Sequence, residues 1–377
     1  AAAVADLVAL STNRYVGIGQ AAPALVELEA NAVRWCAEML GMPEGALGVL
    51  TTGGSLSNLV AVVTARRERL GDDLARGVVY VSDQAHHSVR KACAIAGISR
   101  VRTLPSDAGL RLAPDEVARA VGEDRAAGLS PFLLVASAGT TNTGAVDPLG
   151  PLADVAAAHE LFFHVDAAYG GFFALTARGR AALAGIDRAD TVTLDPHKSL
   201  FLPYGTGCLV ARDPEALRRA HAMTADYLPP PQDEQDLVDF ADLGPELSRE
   251  ARGLRLWLPL KLHGAAAFRV ALDEKLDLAR AAADAIAALP SARVVAPPAL
   301  SLFAFRVEPP GVAPEAADAL NRAVLAGINA RRRVFLTGAV VRGRFVIRVC
   351  VLSFRTHADR IDALVEDAGA AIDAARA

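Results

Sequence analysis

The chain has 377 residues, of which 52% are hydrophobic and 22% are charged, and its formal net charge is −4. This length allows one large and one smaller domain, and the lack of a basic patch argues against a nucleic-acid partner. No apolar run reaches the length of a membrane span, and the alanine-rich start lacks the basic region of a signal peptide. The four cysteines are widely spaced, which is typical of a reducing compartment. We therefore expect a cytoplasmic protein.

The first 211 residues predict a helical start followed by an α/β sheet. Residues 1–45 have helical periodicity, which is interrupted at 13–20 and resumes at Pro23. From 48 to 211, short apolar strands alternate with helices, which predicts a mainly parallel sheet covered on both faces. The predicted strands include 48–52, 78–82, 100–104, 131–137, 161–166 and 191–193.

The rest of the chain predicts a loop, two helices and a smaller α+β domain. Residues 222–255 contain three consecutive prolines and many acidic side chains, which is typical of a mobile loop. Helices are predicted at 245–263, 264–289, 314–327 and 358–375, and strands at 293–296, 301–307, 334–336 and 345–352. The predicted units are an N-terminal helical segment (1–45), a large domain (46–265) that includes a mobile loop (226–248), and a small domain (266–377).

Lys198 follows a β-branched strand and precedes a turn-rich segment, in the sequence TVTLDPHKSLFLPYGTGC. A lysine at the end of a strand and surrounded by apolar side chains is easily desolvated. Desolvation lowers the pKa of its amine and makes the amine a good nucleophile. A surface lysine after a strand has the same local sequence, so this stretch alone leaves both interpretations open.

Asp166 ends a continuous apolar run, LFFHVD, which predicts a buried parallel strand with a carboxylate at its end. A buried carboxylate needs a cationic partner, and no lysine or arginine follows before Arg178. A protonated pyridine nitrogen would satisfy it, because opposite charges about 4 Å apart attract by roughly 4 kcal/mol at an effective dielectric constant of about 20. The small residues Ala167, Ala168 and Gly170 leave room for a flat ring.

Four sequence blocks in this order resemble the pyridoxal-phosphate (PLP) amino-acid decarboxylases, the group II family related to aromatic-L-amino-acid decarboxylase and glutamate decarboxylase. They are TTGGSLSN at 51–58, SDQAHHSV at 82–89, HVDAAYGG at 164–171 and DPHK at 195–198. The resemblance covers nearly the whole chain. It implies the PLP-dependent transferase-like α/β fold (fold type I), with a mainly parallel seven-stranded sheet in a large domain and a smaller C-terminal α+β domain. It also implies that the segment 1–45 is shortened relative to the family.

The resemblance implies roles for nine residues around the cofactor. Lys198 would attach the PLP aldehyde, Asp166 would keep the ring nitrogen protonated, and His86 would stack on the ring and help to orient the substrate carboxylate. Gly54 and Ser55, after Gly53, open a helix whose amide groups suit the phosphate, although an ordinary helix cap has the same pattern. The remaining implied cofactor contacts are Thr140, Ala168, Asp195 and His197.

Some of these positions leave alternatives open. Thr140 and the nearby Asp147 match family residues, but both residue types are also common in turns. Asp195 stands where most relatives have asparagine, and a carboxylate beside a phosphate is repulsive, so it would instead bond backbone or hydroxyl donors. No metal site is predicted, because no further histidine or carboxylate stands at ligand spacing from His86 and His87.

The implied reaction is decarboxylation of an L-amino acid to the amine and carbon dioxide. With no obvious extra arginine or lysine for a side-chain carboxylate, an aromatic or other hydrophobic substrate is favoured over glutamate or aspartate. Val16 and Ile18 are pocket candidates that core packing would explain equally well. The residues predicted to contact the substrate are Tyr15, Tyr204, Phe240 and Arg355.

One departure from the family concerns the product. Decarboxylases of this family usually carry a loop tyrosine that donates a proton after carbon dioxide leaves, and our alignment places Phe240 at or near that position. Loss of this hydroxyl would divert the reaction to oxidative deamination and an aldehyde. Tyr227 could be a substitute donor, although it more closely resembles a structural position before the loop, and His86 is another possible donor.

The resemblance also implies a homodimer with its active sites at the interface. An aminotransferase or another lyase of the same fold would share Lys198 and Asp166, and a non-catalytic binding protein on this fold is a further alternative. Pyridoxamine-phosphate formation distinguishes an aminotransferase from a decarboxylase.

Overall fold

The structure is a computed structural model that describes residues 1–71, 73–223 and 237–376. Seven strands form a large sheet: β1 (Leu47–Thr51), β2 (Gly77–Ser82), β3 (Arg100–Leu104), β4 (Ser130–Ser137), β5 (Phe162–Asp166), β6 (Thr191–Leu194) and β7 (Gly207–Ala211). Their spatial order is β1-β7-β6-β5-β4-β2-β3. β2 is parallel to β3 and β4, β4 to β5, and β5 to β6, whereas β7 is antiparallel to β1 and β6. The predicted mainly parallel seven-stranded sheet is confirmed.

Helices cover this sheet on both faces. The helices of this part of the chain are α1 (Ala2–Thr12), α2 (Pro23–Met39), α3 (Gly54–Arg69), α4 (His87–Ile95), α5 (Pro114–Ala126), α6 (Leu149–Ala158), α7 (Ala177–Ala182), α8 (Pro196–Ser199) and α9 (Pro214–His221). Successive residues of β4 pack into different apolar clusters, with Leu134 in one and Leu133 and Val135 in the other. This alternation shows that both faces of the sheet are buried.

A second sheet lies in the C-terminal part of the chain. Its antiparallel strands are β8 (Ala292–Ala296), β9 (Leu302–Val307), β10 (Thr337–Val341) and β11 (Arg344–Cys350), in the order β10-β11-β9-β8. The helices of this part are α10 (Gly253–Ala287), α11 (Pro314–Ala330) and α12 (Ala358–Arg376). Phe303, Phe305 and Ile347 of the sheet share one apolar core with Val324 of α11. The smaller C-terminal α+β part is therefore confirmed, while the exact domain boundaries remain a prediction.

Two element predictions need correction. The helix predicted at 245–263 begins only at Gly253 and continues through the second predicted helix, with a break at Gly264, whose φ is 71°. The strand predicted at 334–336 lies at Thr337–Val341 instead. The backbone N–H and carbonyl of Leu336 are hydrogen-bonded to the Asn329 side chain, which takes this residue out of the strand ladder. No helix in the described ranges is long and apolar enough to cross a bilayer.

Candidate active site

A cavity of about 300 Å³ lies at the edge of the large sheet where β1, β2, β4, β5 and β6 end. The carboxyl edge of a parallel sheet is the usual ligand site in α/β proteins. All nine residues expected to hold PLP line this cavity: Gly54, Ser55, His86, Thr140, Ala168, Asp166, Asp195, His197 and Lys198. The short helix α8 after β6 and the start of α3 after β1 therefore face one common space.

Lys198 is paired with Asp195 inside the cavity. The Lys198 Nζ lies 3.0 Å from Asp195 Oδ2, and Asp195 is 2% exposed whereas the Lys198 side chain is 40% exposed. The other carboxylate oxygen of Asp195, Oδ1, is buried without a hydrogen-bond partner among the described residues. Asp195 thus contacts the amine itself, rather than the backbone or hydroxyl donors considered from the sequence.

Asp166 is buried, and no lysine or arginine is paired with it in the part of the chain that the structure describes. Its Oδ2 accepts a hydrogen bond from Asn58 Nδ2 at 2.9 Å, and its Oδ1 accepts one from the Ala168 backbone N–H at 3.2 Å. Neutral donors therefore hold this carboxylate, which leaves it available to a cationic ligand in the cavity.

His86 is the N-cap residue of α4, and its ring lines the cavity. Its Nδ1 lies 2.7 Å from Ser88 Oγ and also accepts a hydrogen bond from the Ser88 backbone N–H at 3.3 Å. Burial lowers the pKa of His86, an effect that the charge of Asp166 opposes and His87 reinforces. The neighbouring His87 is exposed.

The start of α3 forms a narrow cradle. Gly53 has φ 154° and ψ 172°, a conformation that is essentially restricted to glycine. A Cβ on Gly54 would lie 3.1 Å from both Ala168 Cβ and Asp195 Oδ2. The first amide groups of this 16-residue helix have no partner within the helix, so they are suited to an anion.

Thr140 and Asp147 shape the loop after β4. Thr140 lines the cavity, and its Oγ1 lies 2.8 Å from Thr143 Oγ1. Asp147 is buried and accepts 2.7 Å hydrogen bonds from the backbone N–H groups of Leu112 and Ser137. Burial raises the pKa of Asp147 to about 6. Asp147 joins two backbone segments and is not among the residues that line the cavity.

His197 and Tyr204 lie at the mouth of the site. His197 Nδ1 donates to the Thr206 carbonyl oxygen at 2.6 Å, which directs Nε2 towards Asp195. The rings of His197 and Tyr204 are 5.2 Å apart, and Tyr204 is 87% exposed. Tyr204 is therefore next to the cavity but open to solvent in the single chain.

The structure does not bring Tyr15, Phe240 or Arg355 to the cavity wall. Phe240 is 1% exposed and packs in an apolar cluster with Val16 and other core residues, with the Arg249 guanidinium 4.8 Å from its ring centre. The prediction that Phe240 contacts the substrate is therefore not supported, because its apolar ring is used in the core.

The other two residues are at the surface. Arg355 is exposed and stacks on Phe354 at 5.2 Å, and Tyr15 is half-buried with its hydroxyl against Gly17. Val16 is fully buried in the core, which favours core packing over a place in the substrate pocket. Tyr227 lies outside the described residues.

Two residues that the sequence did not single out complete the site. Asn58 and Ser88 are buried, line the cavity and are hydrogen-bonded to each other at 2.9 Å. Asn58 lies four residues after Gly54, so both are on the same face of α3. This spacing was the available signal, but the partners of Asn58 come from β5, β6 and α4 and could not be read from one segment.

The cavity fits PLP at both ends. At one end, the α3 cradle leaves little room for a side chain at position 54 and offers amide donors for a phosphate. At the other end, Asp166 is a buried carboxylate without a side-chain cation among the described residues, which suits a protonated ring nitrogen. Lys198 supplies an amine to the same space. No group of three His, Cys, Asp or Glu within those residues is arranged to hold a metal ion.

Comparisons with known proteins agree with this geometry. Residues 1–308 match the family model described as the pyridoxal-dependent decarboxylase conserved domain. The chain is 34% identical over 362 residues to an aromatic-L-amino-acid decarboxylase of Bacillus atrophaeus, a match that covers 95% of this chain and 75% of the relative.

Two crystal structures show the same fold. One, described as Oryza sativa TDC with PLP and tryptamine, is 31% identical with a TM-score of 0.94 and covers 99% of this chain and 81% of that chain. The other, Rhodiola rosea 4-hydroxyphenylacetaldehyde synthase, is 25% identical with a TM-score of 0.91 and covers 99% and 80%. The chain therefore belongs to the pyridoxal-dependent decarboxylase family, and it is a PLP-dependent amino-acid decarboxylase.

Proposed function

We propose that this protein decarboxylates an aromatic L-amino acid to the corresponding amine and carbon dioxide. The observation that carries the proposal is the placement of Lys198 and Asp166 in one cavity at the carboxyl edge of the sheet. When bound, PLP supplies the electron sink for the bond that breaks. The chain supplies the amine that attaches the cofactor, the carboxylate that keeps its ring nitrogen protonated, and the α3 amide groups that bind its phosphate.

The charge of the cavity favours a substrate with an uncharged side chain. Lys198 is the only lysine or arginine among the residues that line the described cavity, and it is paired with Asp195. A substrate with an acidic side chain would therefore lack a cationic partner and lose solvation on binding. The relatives act on aromatic substrates by their names, among them tryptophan and tyrosine decarboxylases, and this supports the aromatic class.

The amine is the proposed product rather than an aldehyde. The aldehyde alternative depends on Phe240 at the reacting carbon, and the buried position of Phe240 gives no support to that role. Tyr227 is the candidate proton donor of this region, and it can be tested directly. A phenylacetaldehyde synthase of Arabidopsis thaliana is 31% identical to the chain, so the assay must measure both products.

We also propose a homodimer whose interface borders the cavity mouth. Tyr204 and Phe354 are 87% and 54% exposed, and Phe354 packs against Phe201, three residues after Lys198. Large exposed apolar groups next to a site are typical of a protein–protein interface. Sedimentation of the PLP-loaded protein tests this, and a monomer at micromolar concentration would contradict it. A cytoplasmic location remains a prediction from the cysteine spacing.

The test is incubation of the PLP-loaded protein with a panel of L-amino acids. Carbon dioxide, amine, aldehyde, hydrogen peroxide and pyridoxamine phosphate are measured together. Amine and carbon dioxide in equal amounts without peroxide support the proposal. Aldehyde with peroxide would establish the oxidative reaction, and pyridoxamine phosphate would establish an aminotransferase.

Three variants test the assignment, and one of them is a control. Lys198→Ala should abolish turnover and the absorbance of the covalently bound cofactor, whereas Lys261→Ala, which removes an exposed lysine, should change neither. Tyr227→Phe should shift the product from amine towards aldehyde and peroxide if Tyr227 donates the proton. Unchanged turnover in Lys198→Ala would refute the assignment of the site.

A further inference from the structure

The four partners of the Asn58 side-chain amide fix its orientation. One end faces Asp166 Oδ2 and Ser88 Oγ, each at 2.9 Å, and the other faces Thr193 Oγ1 at 2.8 Å and His164 Nε2 at 3.1 Å. A reversed amide would place its carbonyl oxygen against the Asp166 carboxylate, with no hydrogen between two acceptors. Asn58 is 1% exposed, so water does not compete. The nitrogen Nδ2 therefore donates to both Asp166 and Ser88.

Ser88 in turn donates its hydroxyl hydrogen to His86. Its Oγ accepts from Asn58, which leaves the hydroxyl hydrogen for His86 Nδ1 at 2.7 Å. The Ser88 backbone N–H points at the same nitrogen from 3.3 Å. A ring nitrogen that accepts from two donors carries no hydrogen, so the neutral His86 ring has its hydrogen on Nε2.

We propose that Asn58 and Ser88 are positioning residues that hold His86 as the neutral Nε2–H tautomer, so that His86 presents a hydrogen-bond donor to the carboxylate of the bound amino acid. This inference rests on the proposed function, because the carboxylate is that of its substrate. The opposite tautomer would turn a lone pair towards that carboxylate and repel it. Burial lowers the pKa of His86, which keeps the ring neutral near pH 7. The charged and titratable groups that face it are Asp166, His87, Lys198 and Asp195.

The tautomer can be measured without substrate. We would label the eight histidines with ¹⁵N and record the imidazole nitrogen shifts of the PLP-loaded protein by NMR at pH 7.5. The His86 signal is assigned by its loss in His86→Gln. The expected result is a protonated Nε2 and an unprotonated Nδ1, and Ser88→Ala should give a mixture of tautomers. A protonated Nδ1 in the unmodified protein would overturn the proposal.

Kinetics test the consequence for the substrate. Ser88→Ala should raise KM by roughly threefold to tenfold with a smaller change in kcat, as expected for one lost neutral hydrogen bond in binding. Ser88→Thr keeps the hydroxyl and should restore both the NMR signature and KM. A Ser88→Ala protein with unchanged tautomer and unchanged KM would refute the role of Ser88. If the tautomer is as expected but no amino acid is decarboxylated, only the proposed function fails.

Discussion

His164 lies two residues before Asp166 on the same face of β5 and supports the polar network, and replacing it should change how stability depends on pH. The ring is fully buried, its Nε2 faces Asn58 Oδ1 at 3.1 Å, and its Nδ1 faces Thr191 Oγ1 at 2.9 Å. Burial lowers the pKa of His164 to about 4. We consider His164→Gln, because a glutamine amide can still donate to Asn58 but does not titrate between pH 4 and 7.

The direction of the pH effect on stability follows from which state, unfolded or native, binds the proton first. An unfolded histidine has a pKa of about 6.5, so on acidification the unfolded chain takes up this proton before the native state does. The stability that the neutral ring contributes is present above about pH 6.5 and is lost as the pH falls towards about 4. Between pH 7 and pH 5, this one group should remove about 2 kcal/mol from the free energy of unfolding.

The assay is urea unfolding of the protein without cofactor at pH 5, 6 and 7, followed by far-UV circular dichroism at one protein concentration. His164→Gln should lose less stability between pH 7 and 5 than the unmodified protein, by about 2 kcal/mol. His263→Gln, which removes an exposed histidine, is the matched control and should keep the original pH dependence. An identical pH dependence in His164→Gln and the unmodified protein would refute the claim that the native state excludes this proton.

Three further predictions concern the cradle, the core and a buried ion pair. Gly54→Ala should weaken PLP binding in an absorbance titration, because its Cβ would lie 3.1 Å from Asp195 Oδ2; an unchanged Kd would contradict the cradle. Phe240→Tyr should leave the product unchanged and lower the free energy of unfolding by about 1–3 kcal/mol, because a hydroxyl enters the apolar core. A changed ratio of amine to aldehyde would show that Phe240 acts on the substrate. Glu29→Gln should lower the free energy of unfolding by about 3 kcal/mol or more in urea unfolding, because it removes the anion that lies 2.5 Å from the buried Arg249. A smaller loss would show that Arg249 is solvated.

The sequence predicted the part of the site that lies in contiguous segments. Asp166 ends an apolar run, Lys198 follows the next strand, and Gly54 opens a helix after a third. The Lys198 and Gly54 segments each left an alternative open alone, and the four sequence blocks in order indicated the site. The parallel arrangement then brings the strand ends together without further information. This explains why all nine cofactor candidates meet at one cavity.

Residues whose role depends on distant partners could not be predicted in this way. Asn58 bonds groups from 30 to 135 positions away in the chain, and its spacing from Gly54 indicates a shared helix face but not these partners. Phe240 was assigned to the substrate by an alignment through a loop, and this role stays a prediction that its packing beneath Arg249 does not support. The position of the strand near Leu336 also depends on a contact that the local sequence does not show. The Asn329 side chain is hydrogen-bonded to the backbone N–H and carbonyl of Leu336, which a strand would need for its ladder.

The two buried carboxylates of the cavity differ in their partners, and this difference suits them to different tasks. Asp195 lies 3.0 Å from the Lys198 amine, so the positive charge of that amine is already matched inside the site. Asp166 is held only by an amide side chain and a backbone N–H among the described groups, which orient its charge without neutralising it. If Lys198 were paired with Asp166 instead, a ring nitrogen would have to displace an ammonium group to gain its counter-ion. By holding the amine, Asp195 therefore leaves the charge of Asp166 available to the cofactor ring.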